Sequence, residues 1–167
     1  METFCEAAYK IIADKRYLLL LSFLIVAKFG FGQTKPIDST AYYINKLNWK
    51  SFGITSNYVS QPYLLEDAKK IISINDKNKV KKLIKALSNE EKTVVIHMIL
   101  TQILEPSKAT FEERYIYADN SKIISVRYNF NGLYWLYNRK TEQLTISAQD
   151  IKMITRYWKK SWKNVRQ

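Results

Sequence analysis

The chain is short of four residue types on which many functional sites draw: it has one cysteine, one histidine, four glycines and three prolines in 167 residues. Cys5 is the only thiol, so no disulfide can form within the chain and the folded body must be held by packing. His97 stands alone, and one imidazole without cysteine cannot assemble the usual zinc ligand sets, so no metal or other cofactor is expected. Its place between Val94 and Thr101, beside Met98, reads as a partly buried structural histidine. A general base would need an orienting carboxylate that the spacing does not supply. Beyond residue 32 the only glycines are Gly53 and Gly132, which argues against a Gly-rich phosphate loop. Neither G-x-S-x-G nor H-E-x-x-H occurs, and no N-x-[S/T] glycosylation acceptor is present.

What is present begins with an apolar run, Tyr17 to Ala27, preceded by Lys15 and Arg16. It is short for a spanning helix, which needs about twenty apolar residues, and Lys28 would cost about 2.5–3.5 kcal/mol at mid-bilayer if the run were extended. Gly30-Phe31-Gly32 offers small residues before a cleavage point, which makes Gln33 the expected mature N-terminus. The alternative is an uncleaved anchor, because phenylalanines flank the glycines and the preceding segment carries Glu2, Glu6 and Asp14. Residues 1–32 are therefore expected to be a signal peptide or N-terminal membrane anchor, and residues 33–167 a single basic domain. An exported chain without disulfides fits the periplasm or cell envelope of a bacterium. No cysteine follows the apolar run to accept a lipid.

Of 27 Lys+Arg, four lie in residues 1–32 (Lys10, Lys15, Arg16, Lys28); of 15 Asp+Glu, three do (Glu2, Glu6, Asp14). The remaining body carries 23 against 12, a net +11. In an envelope such a balance attracts an acidic protein or an anionic lipid or glycolipid, and nucleic acid is the least expected partner.

Periodicity places the elements. Asp38 or Ser39 can cap a first helix with Ala41, Ile44 and Leu47 on one face, ending near Gly53. Pro62 suits the first position of a second helix through Leu64, Leu65, Ala68, Ile71 and Ile72. Val80, Leu83, Ile84 and Leu87 fall at i, i+3, i+4, i+7 on a third helix, with lysines on its remaining faces. Ser88-Asn-Glu-Glu91 reads as a capping box that opens a fourth, carrying Val94, Val95, Met98, Ile99 and Ile103 up to Pro106. So short a connection makes an αα-hairpin, which resembles a single HEAT-type helical hairpin; no second copy follows, so no solenoid is implied.

Past Pro106 the period becomes two. Strands are expected over Phe111–Tyr117, around Ile124–Phe130, over Leu133–Asn138 and over Gln143–Ile146, with Asn131-Gly132 as a type I′ turn. Ser147-Ala-Gln-Asp150 then caps a last helix with the stripe Ile151, Ile154, Trp158, Trp162 and Val165, expected to cover the sheet. The fold class is α+β: N-terminal helices including an αα-hairpin, then a three- to four-stranded antiparallel meander closed by an amphipathic helix.

Two surfaces are candidates for binding. On the last helix Lys152, Arg156, Lys159, Lys160 and Lys163 flank Tyr157, Trp158 and Trp162, a basic amphipathic pattern suited to anionic surfaces or acidic partners. On the hairpin Tyr134 and Trp135 belong to an aromatic cluster of the kind that anchors interfaces. Both patterns are equally those of a helix and sheet packed on each other. Catalysis is not expected, though a carboxylate pair drawn from Glu105, Glu112, Glu113, Asp119 and Asp150 would suit a hydrolase of envelope polymers. Glu112 and Glu113 point to opposite faces of one strand, and Asp150 is accounted for as a cap. The expected function is thus an exported, non-enzymatic binding protein of a bacterial envelope.

Overall fold

Residues 93–101 form an unbroken run of nine buried positions on one helix, and a helix buried on every side sits at the centre of its domain. The computed structural model describes residues 38–55 and 59–165. The expected signal or anchor over residues 1–32 lies outside them, and no helix among the described residues is long and apolar enough to cross a membrane.

The fold is α+β. In chain order it comprises α1 (Ser39–Lys46), β1 (Phe52–Ile54), β2 (Pro62–Leu64), α2 (Glu66–Ser73), α3 (Lys79–Ala86) and the central α4 (Glu90–Leu104). The strands β3 (Phe111–Tyr117), β4 (Ile123–Phe130), β5 (Leu133–Asn138) and β6 (Gln143–Thr145) follow, and α5 (Ala148–Val165) ends the described chain. The four later strands form an antiparallel meander in the order β3-β4-β5-β6. Asn131 and Gly132 both have positive φ, 46° and 83°, as a type I′ turn requires.

Three local expectations are corrected. The first helix stops at Lys46, because Leu47 turns extended and Asn48 caps a short 3₁₀ turn over Trp49–Ser51. Pro62 opens a strand instead of a helix: β1 and β2 pair antiparallel, with Phe52 opposite Leu64, and α2 begins only at Glu66. Ser88 forms no capping box, since its hydroxyl turns back to the Lys85 carbonyl and α4 starts after Asn89. Thr93 Oγ1 secures the hairpin instead, donating to the Leu87 carbonyl at 2.8 Å. The αα-hairpin itself stands, and the Glu90 and Glu91 carboxylates favour the helix start through the peptide dipoles.

The strand register puts Phe111, Phe130 and Leu133 on one face with Glu113, Tyr128 and Trp135. That face packs on the core, where Phe52 of β1 meets Trp135 edge-on with ring centroids 6.0 Å apart. The last helix caps as expected, with Asp150 N–H donating to Ser147 Oγ at 3.0 Å. It does more than cover the sheet, for it packs against α3 and α4 as well as β5.

One contact ties these layers together. The Trp158 indole N–H donates to His97 Nδ1 at 2.8 Å, and His97 Nε2 lies 2.9 Å from the Phe130 carbonyl oxygen. An indole nitrogen can only donate, so Nδ1 must accept; Nε2 therefore carries the proton and donates to Phe130. The imidazole is fully buried, and burial pushes its pKa down to about 4 despite the Phe130 and Asn131 backbone contacts. α4, β4 and α5 thus meet on one neutral ring.

The sign of the pH effect follows. Between about pH 6.5 and pH 4 the unfolded chain binds a proton at His97 that the folded chain refuses, so stability falls as pH drops through that window and then levels. The loss is about 3 kcal/mol. In urea titrations His97→Gln should flatten this dependence, whereas His97→Leu, which strands the Trp158 N–H and the Phe130 carbonyl, should cost about 3–5 kcal/mol at pH 7. An unchanged pH profile in His97→Gln would contradict the assignment.

Candidate functional site

The basic residues of α5 do not all point the same way. On a 3.6-residue repeat Lys152, Arg156, Lys159 and Lys163 fall at i, i+4, i+7 and i+11, one ridge beside the packed stripe. The other flank is consumed internally: the Tyr157 and Ser161 hydroxyls both donate to the Glu105 carboxylate at the end of α4. Burial and that bond push the Tyr157 phenol up to about 12. Burial alone would raise the Glu105 carboxyl, but the bonds from Tyr157 and Ser161 and the nearby Lys108 bring it below its ordinary value. A carboxylate held ionised in this way is unsuited to act as a general acid. Lys160 is exposed to solvent.

The ridge of α5 faces α3 across an open groove of about 610 Å³. From the first hairpin helix and its exit come Lys81, Ile84, Lys85 and Ser88; from α5 come Thr155, Lys159, Trp162 and Lys163. Ile84 belongs to the core and Trp162 packs half-buried against it, so the floor is apolar while ammonium groups stand on both walls. None of these four lysines forms an ion pair with a described carboxylate. Their neighbours on α3 behave differently. Lys82 bridges Asp38 and Asp76 at 2.5 and 2.8 Å, holding the Asp76 carboxyl down to about 2, and Lys79 donates to the Ile72 and Ile74 carbonyls at the end of α2. The helix divides its cations between structure and groove.

Of the ten residues expected to bind, the structure brings Lys159, Trp162 and Lys163 into this groove and sets Lys152 and Arg156 along the same ridge. As binding residues Trp158 and Trp135 are corrected to core residues, 0% and 2% exposed, because the apolar stripe of each element faces inward; for Trp158 this is the stripe expected to cover the sheet. Tyr157 is committed to Glu105. Tyr134, 45% exposed, lies on the outer sheet face opposite Asn129, away from Trp135. Lys81 and Lys85 were not singled out by their sequence; their even spacing on an amphipathic helix was visible, but the helix they face was not.

Three of the five carboxylates considered for catalysis are taken up by local roles. Glu113 accepts from Ser60 and Tyr115, the Asp150 carboxylate accepts from the Ser147 hydroxyl that caps α5, and Glu105 binds α5. No group of three His, Cys, Asp or Glu side chains among the described residues is placed to hold a metal ion. No protein-family model matches the chain, and neither a curated protein nor a solved structure is similar to it.

Thr155 Oγ1 is buried on the groove wall without a hydrogen-bond partner among the described residues. An unpaired buried hydroxyl costs about 1–3 kcal/mol, so Thr155→Val should leave stability unchanged or raise it by about 1 kcal/mol. Thermal denaturation checks this; a loss above about 1 kcal/mol would mean the hydroxyl is paired.

Proposed function

We propose that this chain is an exported, non-enzymatic binding protein of a bacterial cell envelope, and that its cationic α3–α5 face holds an acidic protein or an anionic lipid or glycolipid surface. The observation that carries the reading is the set of four lysines, Lys81, Lys85, Lys159 and Lys163, standing around an apolar floor without an ion-pair partner among the described carboxylates. Like charges gathered at one place repel one another, and an anionic partner removes that cost while gaining from it. The +11 balance of the body adds long-range attraction. Support for export is the apolar run Tyr17–Ala27 behind Lys15 and Arg16, together with a body free of cysteine.

Two measurements test the proposal. Expressed in a Gram-negative host, the chain is expected in the periplasmic fraction with an intact mass starting at Gln33, or as an intact membrane-anchored form. Full-length chain in the cytoplasm would contradict export. On a polyglutamate matrix the protein should be retained and released by salt, with retention reduced by Lys159→Glu plus Lys163→Glu. Retention unaffected by that reversal would remove the α5 face from the account.

A further inference from the structure

The arrangement of charge along the α3–α5 groove says more than its sign. An anionic lipid brings one charged head and an apolar tail, and a site built for it gathers cations at one end of an apolar channel. Here the ammonium groups are repeated along both walls: Lys81 and Lys85 at i, i+4 on one, Lys159 and Lys163 at i, i+4 on the other, with Ile84 and Trp162 between them. The walled stretch from Thr155 to Lys163 is about 12 Å long at a rise of 1.5 Å per residue, a little over two helical turns. The two lysines of each wall stand about one turn apart, so the complement is a partner whose apolar stripe is flanked on both sides by carboxylates at that spacing. An α-helix offers that pattern when apolar residues at i, i+3, i+4 and i+7 are bordered by Asp and Glu.

We infer that the groove between α3 and α5 is a docking site for an acidic amphipathic helix of a partner protein, its apolar stripe seated on Ile84 and Trp162 and its carboxylates paired with the lysines of both walls. The inference rests on the anion-binding reading above and narrows it to one occupant. Pairs at the rim act on encounter rate and on the choice of partner more than on raw affinity, while the apolar contact supplies the residence time. A partner with acids on one side only would leave the opposite lysine row uncompensated, so the two rows together select against partners acidic on a single flank.

The test uses the full chain and calorimetric titration with three probes. The first is a synthetic peptide of about 15 residues with leucine at i, i+3, i+4 and i+7 and glutamate on both flanks. The second is the same composition scrambled, and the third is vesicles of phosphatidylglycerol. The patterned peptide should bind one to one, about tenfold tighter than the scrambled one. Reversal of either wall, Lys81→Glu with Lys85→Glu or Lys159→Glu with Lys163→Glu, should weaken it by about tenfold at unchanged thermal stability. Equal binding of the two peptides would overturn the helix inference and leave the general anion-binding reading standing. An effect confined to the α5 pair would overturn it in favour of α5 acting alone. Vesicle binding lost on reversal of both walls, with neither peptide bound, would replace the helix by a lipid. No binding of any probe would overturn both readings.

Discussion

A single neutral imidazole sets the geometry on which the rest depends. His97 sits in the middle of a helix buried on every side, and its two ring nitrogens join that helix to β4 and to α5. Each bond requires the other: the indole of Trp158 can only donate, which leaves Nε2 to donate to Phe130. Were the ring charged it would have no acceptor to offer the indole, and a buried cation would lack any carboxylate partner within bonding distance. The ring also packs edge-on to Phe130 at 5.6 Å. Both ring nitrogens are committed to a partner, and directed polar contacts fix orientation where apolar contact alone permits sliding.

The consequence reaches the surface through α5. Trp158 anchors the middle of that helix to α4, and Glu105, bonded by Tyr157 and Ser161, holds its far flank. With two sides committed, the exposed ridge carrying Lys159 and Lys163 lies along the groove to α3. There Lys82 and Lys79 are drawn off to Asp38, Asp76 and the end of α2, so Lys81 and Lys85 remain for the groove. Core contacts thereby decide which cations of a highly basic chain become a shared site and which serve as internal ties. Screening by salt makes the resulting repulsion tolerable at the surface, which is why such a face can persist without a partner.

Much of this fold was legible where periodicity is long and unambiguous. The apolar positions of α3 and α4, the Asn131-Gly132 turn and the Ser147 cap each rest on one local rule, and each is found, whereas on β4 the alternation holds from Val126 to Phe130 but not at its start, where Ile124 is exposed and Ser125 buried. What escaped is short or tertiary. Strands β1 and β2 span three residues each, too few for a period to register, and Pro62 satisfied a helix rule before its strand pairing was known. On α5 the spacing sets Trp158 and Trp162 in one inward stripe, but the same residues among cations also fit a surface anchor, and only the tertiary packing separates the two. The groove needed two helices far apart in sequence, and spacing within one helix carries no information about the other.

The most direct test of this account is a nitrogen-15 NMR titration of the one imidazole in the full chain. A single neutral tautomer protonated at Nε2 is expected at neutral pH, with Nδ1 shifted as a hydrogen-bond acceptor and the midpoint of ring protonation near pH 4. Titration near the ordinary value of about 6.5, or a proton found on Nδ1, would show that His97 does not bridge Trp158 and Phe130, and the positioning of α5 would need another cause.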